Sequence, residues 1–404
     1  NNFAIQGLYP PASAFKVVPY TLAIEQGIYP RIETVYATKP EAVREQVWAR
    51  YKGLLDPNDP TDFFADGVLV FPETPPLKDW ICRSQSLVQT PEGLICPQGG
   101  HGVVDIHSAL HRSSNQYFWG VALEIWDGRG GQFSEDLLQQ WARELGFGER
   151  TGIDLPFEQS GVVPDREWFV FHQNNNTGLV RPEGGWSGGD VMNMVIGQGS
   201  LTVTPLQVAN AYAALANGGT LWRPRVVDSI RDGENNTIFV NIPSVANQVD
   251  IEPGTVESLL DDLNGVITVG TAREAFVGFG ESLGRVGGKT GTGQTGQFFP
   301  VLDETGQPVR ELDEDGNPIP ILDEDGNQLL DGDGEPLFAM KEREAYHAWF
   351  AGIAPLDDPK YAIVVVVDQG GSGGQVAAPT ARRIMQFLMG EKLSPITEGT
   401  DSER

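Results

Sequence analysis

The sequence predicts a mixed α/β protein of the α+β type, with helices first and an antiparallel sheet after them. Three observations support this. Capped, amphipathic helical segments dominate the part before Gly284, and apolar strand-like segments follow it. The composition, 40% hydrophobic and 21% charged over 404 residues, is that of a globular chain with a sizeable core.

The first helical segments are marked by their ends. Residues 14–26 predict a helix that Gly27 terminates. Pro19 lies inside this segment and is expected to kink it, because proline lacks the amide that would bond to an upstream carbonyl. Residues 104–126 predict two helices with a break near Ser113–Asn115.

Two more helices precede the sheet. Residues 133–148 form an amphipathic pattern that ends in glycine. Residues 204–219 carry clear punctuation, with Thr204 as N-cap, Pro205 at the first helical position and Gly218 after the last turn.

Three strands and a final helix follow. The strands are expected at residues 284–292, 345–355 and 361–370, and the helix at residues 380–391. A turn of five residues, LDDPK, separates the last two strands, so they are expected to pair antiparallel.

An acidic insertion at residues 298–340 separates the first two strands. It contains a degenerate repeat of about ten residues, with copies such as VLDETGQPVRE and ELDEDGNPIPI. Each copy combines a short apolar, strand-like segment with a glycine-containing turn, which predicts successive short hairpins. DEDGN is a weak match to a calcium loop without the terminal glutamate, so a solvated acidic excursion is the preferred interpretation.

Net charge excludes some partners. The formal charge of −27 and the pI of about 4.4 argue against nucleic acid and against anionic lipid surfaces. No segment is apolar for long enough to span a bilayer, and no signal peptide opens the chain. The chain begins at Asn1 without methionine, so we expect any leader or membrane anchor to lie upstream.

Two cysteines leave three alternatives open. Cys82 and Cys96 flank a PEG turn, so a disulfide is the first interpretation, in an oxidising compartment. The second adds His101 and Asp105 and makes a zinc site. The third is a pair of free buried thiols.

Three short motifs carry the chemistry, and each is weak alone. Together, and in this order, they are hard to attribute to chance. They are Ser13-x-x-Lys16 at a helix start, Ser113-x-Asn115 at a helix break, and Lys289-Thr290-Gly291-Thr292 on a strand.

The three motifs together fit an acyl-transfer site. A serine such as Ser13 needs a base, and Lys16 serves if desolvation and the second cation Lys289 lower its pKa. Ser113 can relay a proton to a leaving amine, and Asn115 can hold a substrate amide.

The strand motif suits an extended, anionic peptide. Residues that follow Lys289 can pair with such a peptide by β-addition. Thr290 and Thr292 offer hydroxyls to a carboxylate, next to Gly291. The backbone N–H groups of Ser13 and Thr292 are candidates for the oxyanion hole. Gly197, Gln198 and Gly199 are assigned to packing.

These motifs resemble those of the penicillin-binding proteins and serine β-lactamases. The sequence is most similar to the class B penicillin-binding proteins of the cell-elongation type, through the stretches RSSNQYFW, GHGVVDIHSAL, ERTGIDLP, GWSGGDVMNMVIGQGSLTVTPLQVANAYAALANGG and GGKTGTGQ. The similarity runs from Tyr9 to Glu391. It departs from the family at Ala12, where relatives usually carry glycine, at Pro19 and in the long insertion.

The resemblance implies a fold and an activity. The fold is an antiparallel sheet flanked by helices with a helical subdomain, and the N-terminal strands of that domain are expected upstream of this chain. Residues 1–391 would be a transpeptidase domain without cofactor or metal, and 392–404 a tail. Ser13 would attack a terminal D-Ala-D-Ala of a peptidoglycan stem peptide and pass the acyl group to an amine.

Partners and alternatives follow from the same resemblance. It implies β-lactam binding, a RodA-type glycosyltransferase of the elongation complex, and a bacterial membrane anchor that holds the domain outside the cytoplasm. The alternatives are a β-lactamase or D,D-carboxypeptidase, in which water takes the acyl group, and a non-catalytic β-lactam sensor or scaffold. The insertion, next to Lys289, is expected to influence access of substrate or partner.

Overall fold

The computed structural model describes residues 2–30, 101–128, 131–301, 307–312, 316–322, 328–330 and 335–395, and short strands between Phe63 and Ile95. Within these residues, no helix is both long and apolar enough to cross a membrane.

Eleven α-helices lie in the described residues. They are α1 (Phe3–Gln6), α2 (Val17–Gln26), α3 (Ile106–Arg112), α4 (Asn115–Asp127), α5 (Leu137–Glu144), α6 (Arg166–Asn174), α7 (Gly188–Val195), α8 (Pro205–Ala216), α9 (Pro253–Thr268), α10 (Arg273–Phe276) and α11 (Ala378–Leu388). Two 3₁₀ segments, Ala12–Lys16 and Glu281–Arg285, precede α2 and the main sheet, and a π-helical turn, Gly373–Ala377, leads into α11.

The described strands form one main sheet and several two-stranded ribbons. The strands are β1 (Phe63–Ala65), β2 (Val68–Leu69), β3 (Leu77–Lys78), β4 (Val88–Thr90), β5 (Gly93–Ile95), β6 (Gly102–Val104), β7 (Thr220–Trp222), β8 (Ser229–Arg231), β9 (Thr237–Val240), β10 (Val245–Gln248), β11 (Gly287–Pro300), β12 (Glu342–Ala354) and β13 (Tyr361–Val367). The ribbons are β1–β6, β2–β3, β4–β5, β7–β10 and β8–β9, and the main sheet has the order β11–β12–β13.

The main sheet confirms the predicted strands. Both neighbouring pairs are antiparallel, and the register of β12 with β13 runs from Ala348 opposite Val367 to Ala354 opposite Tyr361. β11 begins at Gly287, three residues later than predicted, because Glu281–Arg285 forms the 3₁₀ turn. The mixed helix and sheet architecture predicted from the sequence is therefore confirmed.

β12 explains where the core lies. Its side chains alternate between two faces, as strand geometry requires. Trp349 and Ile353 belong to the larger buried cluster, which the helices α2 to α4 share, and Ala348 and Phe350 belong to a second cluster that packs against α11. Because both faces of the strand are covered over residues 348–354, its sequence is apolar there.

The predicted helix break is confirmed. Ser113 ends α3 in the left-handed conformation, with φ of 56°, and the Ser114 side chain accepts a hydrogen bond from the Tyr117 amide to cap α4. Thr204 caps α8, and its partner Gln207 bonds back to the Thr204 amide. The predicted helix at 133–148 is shorter in the structure, where α5 ends at Glu144.

The predicted helix at 14–26 is divided in two. Residues Ala12–Lys16 are 3₁₀, and α2 runs from Val17 to the Gly27 cap, whose φ is 61°. Pro19 falls in the first turn of α2, where backbone amides have no intrahelical acceptor, so the missing N–H of proline costs no helical hydrogen bond. The expected disturbance therefore takes the form of a change of helix type before the proline.

The described residues of the insertion pair through short antiparallel bridges, such as Leu312 with Pro318 and Leu322 with Gln328. Its described residues form three layers, and in each layer three residues close a ring in which each amide donates to the next carbonyl. The layers are Val301, Val309 and Lys341; Glu311, Ile319 and Ala339; and Ile321, Leu329 and Leu337. Within each layer, the first two residues are eight apart in sequence, and the returning chain supplies the third. Successive layers begin at Val301, Glu311 and Ile321, which matches the repeat of about ten residues in the sequence.

Candidate active site

Ser13 and Lys16 lie on one short 3₁₀ segment. Side chains three residues apart eclipse one another in a 3₁₀ helix, so the serine lies directly over the lysine along the axis. Ser13 is half-buried, whereas Lys16 is fully buried. A buried ammonium needs oxygen partners close by, because its desolvation is unfavourable.

Close backbone contacts hold this segment. The Ala12 amide donates to the Gly197 carbonyl at 2.8 Å, and the buried Tyr212 hydroxyl donates to the Ala14 carbonyl at 2.8 Å. Ala12 has φ of 48°, in the left-handed region that favours glycine. On the strand side, a Cβ added at Gly291 would lie 3.0 Å from the Pro11 carbonyl oxygen.

The second motif closes around Lys16. Its Nζ donates to the Ser113 carbonyl at 2.8 Å and to Asn115 Oδ1 at 2.6 Å, and it lies 3.3 Å from Ser113 Oγ. The left-handed conformation of Ser113 turns both its carbonyl and the first residue of α4 toward the lysine. The helix break thus supplies oxygen acceptors for the buried amine of Lys16.

Lys289 completes the group from β11. Its side chain is fully buried, and its Nζ donates to the Thr290 carbonyl at 3.2 Å. Burial lowers the pKa of Lys289 well below its usual value, and the nearby charge of Lys16 lowers it further. The two lysines therefore compete for positive charge.

The two lysines also differ in their hydrogen bonds. Lys16 has two short bonds to oxygen acceptors, whereas the Lys289 bond to Thr290 is longer. Acceptors favour the ammonium form. The lowered pKa therefore belongs to Lys289, and the assignment of Lys16 as the base stays a prediction.

The two threonines of the third motif already have partners. Thr290 Oγ1 lies 2.6 Å from Thr271 Oγ1, and Thr292 Oγ1 accepts a bond from the Gly373 amide at 3.2 Å. A hydroxyl that accepts one bond can still donate one. Thr292 is exposed, so its hydroxyl can meet a ligand, and its carbonyl accepts a bond from Gln198 Nε2 at 3.3 Å.

Sequence reasoning missed several residues that shape this site. Gly373 lies so close to β11 that a Cβ there would be 2.1 Å from the Gly291 carbonyl oxygen, and the glycine-rich stretch GGSGG was the available signal. Thr271 and Tyr212 gave no local signal. The sequence assigns Gln198 to packing, but its amide donates a hydrogen bond to the Thr292 carbonyl of β11.

The cysteine predictions lie outside the described residues, at Cys82 and Cys96. Of the two other residues of the zinc alternative, Asp105 caps α3 by accepting a bond from the Ser108 amide, and the His101 carbonyl accepts a bond from Arg112. Within the described part of the chain, no group of His, Cys, Asp or Glu side chains could hold a metal ion.

Comparison with protein families assigns this chain to one of them. The penicillin-binding protein transpeptidase domain matches residues 96–297 and 337–386, more than half of the chain, which includes the second and third motifs. The chain belongs to this family. The Ser13 motif precedes the matched residues, and the segment between the two matched ranges falls within the insertion.

Individual relatives agree with the family. The peptidoglycan D,D-transpeptidase MrdA of Haemophilus influenzae is 28% identical over 92% of this chain and 46% of its own length. The structure of Pseudomonas aeruginosa PBP2 in complex with WCK 5153 is similar with a TM-score of 0.60 and 22% identity, over 99% of this chain and 66% of that one.

A complex structure is also similar. A chain of the complex between PBP2 and MreC from Helicobacter pylori matches with a TM-score of 0.58 and 21% identity, over 96% of this chain and 51% of that one. This chain spans about half the length of the curated relatives it matches. The structural matches support the fold.

Proposed function

We propose that this protein is a serine-type peptidoglycan D,D-transpeptidase of cell-wall elongation, which cross-links stem peptides and is acylated by β-lactams. The observation that carries the proposal is the buried contact of Lys16 with Ser113 and Asn115, next to Ser13 and in range of the charge of Lys289. Membership of the transpeptidase family and similarity to MrdA proteins support it.

The acylation step uses Ser13 and Lys16. Neutral Lys16 takes the Ser13 Oγ proton as Oγ attacks the carbonyl carbon of the penultimate D-Ala. The N–H groups of Ser13 and Thr292 stabilise the oxyanion. The C–N bond then breaks, and the proton passes through Ser113 to the departing D-Ala amine, which leaves a Ser13 ester.

Deacylation repeats these steps with a new nucleophile. The amine of a second stem peptide attacks the ester carbonyl, and its proton passes to the Lys16 and Ser113 pair. The Ser13 C–O bond breaks and Oγ is reprotonated, so the peptide cross-link forms and the enzyme is regenerated. Asn115 holds the donor peptide amide during both steps.

Substrate charge sets the proton distribution that this mechanism needs. The terminal carboxylate of D-Ala-D-Ala, or that of a penicillin, binds beside Thr292 and Lys289. A negative charge there favours the ammonium form of Lys289. Because the two lysines disfavour simultaneous protonation, the positive charge then lies on Lys289 and Lys16 is the free base. Binding of an anionic substrate therefore activates the nucleophile.

The first experiment is intact mass spectrometry after benzylpenicillin, followed over time. The parent chain should gain one long-lived penicilloyl group, and Ser13→Ala should gain none. An adduct that turns over rapidly would favour a β-lactamase or carboxypeptidase. No adduct on the properly folded parent chain would favour a sensor or scaffold and contradict the proposal.

Partners and location are part of the same proposal. The similar Helicobacter pylori PBP2 forms a complex with MreC. We infer that this protein works in such an elongation complex, with a RodA-type glycosyltransferase, on the outer side of the bacterial membrane to which an upstream segment anchors it. Co-purification of the full-length protein with both partners would test this, and failure to bind either would contradict it.

The acidic insertion is proposed to control access to the third motif. Its stack continues directly from β11, the strand that carries Lys289, and returns into β12. Replacing residues 301–341 by a short turn should change the penicillin acylation rate or partner affinity. Unchanged acylation and unchanged partner binding would contradict this role.

A further inference from the structure

Behind the site, one buried carboxylate joins three helices. Asp262 lies on α9, and its side chain is only 8% exposed. Its Oδ2 accepts a bond from the Tyr20 hydroxyl and lies 2.7 Å from His107 Nδ1. Its Oδ1 lies 2.9 Å from His111 Nε2. A single side chain therefore holds α2, through Tyr20, and α3, through both histidines.

The residues of the Lys16 contact lie directly beside these two helices: Lys16 immediately precedes α2, and Ser113 caps the end of α3. Tyr20 is one helical turn after Lys16, and His111 is two residues before Ser113. The relative placement of α2 and α3 fixes the distances from Lys16 Nζ to Ser113 and Asn115. Asp262 itself touches none of these three residues in the described hydrogen bonds.

Two glycines show how closely α3 is drawn onto α9. A Cβ at Gly265 would lie 2.1 Å from His111 Nε2, and a Cβ at Gly270 would lie 2.2 Å from the His111 carbonyl oxygen. The next residue, Thr271, donates its amide to that carbonyl at 3.2 Å, and its hydroxyl meets Thr290 of the third motif. The segment from Asp262 to Thr271 thus connects elements that carry all three motifs.

The protonation states suit hydrogen bonding to an ionised carboxylate. Burial raises the pKa of Asp262, but bonds from His107, His111 and Tyr20 outweigh burial, so its pKa is lowered overall. Burial, followed by the adjacent carboxylate, raises the pKa of Tyr20, which keeps its hydroxyl as a donor. A charged acceptor with three donors forms stronger bonds than neutral groups do.

We propose that Asp262 is a positioning residue, which holds Lys16 against Ser113 and Asn115 by tying α2 and α3 to α9. The assignment rests on the proposed acylation chemistry, because its consequence is the rate at which Ser13 reacts. Buried charged networks of this kind specify one arrangement of packed elements. Without the carboxylate, α2 and α3 keep their apolar packing but lose the bonds that fix their relative position.

The test compares two buried carboxylates. Asp262→Asn removes the charge behind the site. Glu158→Gln is the matched control: Glu158 is also buried, and it accepts bonds from the Thr151 amide, the Thr151 hydroxyl and the Gly152 amide of its own loop. Tyr20→Phe, which removes only the α2 bond and keeps the ring, is the milder second variant.

The measurement is the second-order rate constant of acylation by a fluorescent penicillin, as a function of pH. Misplacement of reacting groups by about 1 Å can reduce a rate about 100-fold, so Asp262→Asn should lose roughly 10- to 100-fold and Tyr20→Phe less. The pH at which acylation is half-maximal, which reports the essential base, should shift in Asp262→Asn and not in Glu158→Gln.

Hydrogen exchange separates this inference from the proposed function. Each variant is measured at the same number of degrees below its own melting temperature. Under these conditions, the amides of residues 13–16 and 110–115 should exchange faster in Asp262→Asn than in Glu158→Gln. If the parent chain is not acylated, the proposed function fails, but this exchange pattern still supports positioning. Parent-like acylation, pH profile and exchange in Asp262→Asn would overturn the inference.

Discussion

Replacing Gly197 with alanine tests whether the loop beneath Ser13 holds the nucleophile in place. Gly197 has φ of 76°, and a Cβ there would lie 2.1 Å from the Ala12 carbonyl oxygen. A left-handed alanine costs about 1–2 kcal/mol. Because a carbon and an oxygen need roughly 3 Å or more, Ala12 must also move by about 1 Å, and such overpacking adds about 1–3 kcal/mol.

The consequence for the reaction is larger than that for stability. Ala12 is adjacent to Ser13, so the nucleophile moves with it. A displacement of about 1 Å corresponds to about a 100-fold loss in rate. We expect Gly197→Ala to unfold about 2–5 kcal/mol more easily and to react with fluorescent penicillin about 100-fold more slowly.

Gly199→Ala is the matched control in the same loop. Its φ of 71° carries the same conformational strain, but its Cβ would meet only the Asn193 side chain, at 3.1 Å. Its acylation rate should stay within about threefold of the parent rate, since local strain without displacement of Ser13 alters stability alone. Equal acylation rates for the two variants, measured by stopped flow below their melting temperatures, would refute the reasoning.

Two further predictions concern stability. Lys289→Met should melt at a higher temperature than the parent at neutral pH. Burial lowers the pKa of Lys289, so this lysine binds more protons in the unfolded state than in the folded state, which destabilises the parent. The difference in melting temperature should shrink as the pH rises from the lowered pKa toward 10.5. Calorimetry across this range checks it, and a difference independent of pH would show that charge burial is not the cause. Ala12→Gly should change the free energy of unfolding by less than about 1 kcal/mol, because relief at φ of 48° is offset by lost methyl burial and a more flexible unfolded chain. Chemical denaturation that gives a change above about 2 kcal/mol would contradict it.

Local sequence patterns predicted much of the fold. Thr204, Pro205 and Gly27 mark helix ends through capping chemistry that involves only neighbours in sequence. The apolar strands β12 and β13 and the short turn between them predicted an antiparallel pair. Such features are readable because their causes lie within a few residues.

Other elements escaped prediction because their local signals are weak. α9 carries Asp262 on the buried stripe that Leu259, Leu263 and Val266 define, and an acid in that position was the available signal of a buried network. The 3₁₀ form of Ala12–Lys16 depends on contacts with Gly197 and Gly291, which are distant in sequence.

The sequence by itself determined the chemical groups: a serine with a lysine three residues later, a Ser-x-Asn at a helix break, and a lysine at the start of a strand. The tertiary structure alone decided how they interact. Lys16 meets Ser113 across 97 residues, and burial beside Lys16 lowers the pKa of Lys289. Desolvation and charge coupling depend on which groups folding brings together, so no local pattern encodes which lysine holds the proton.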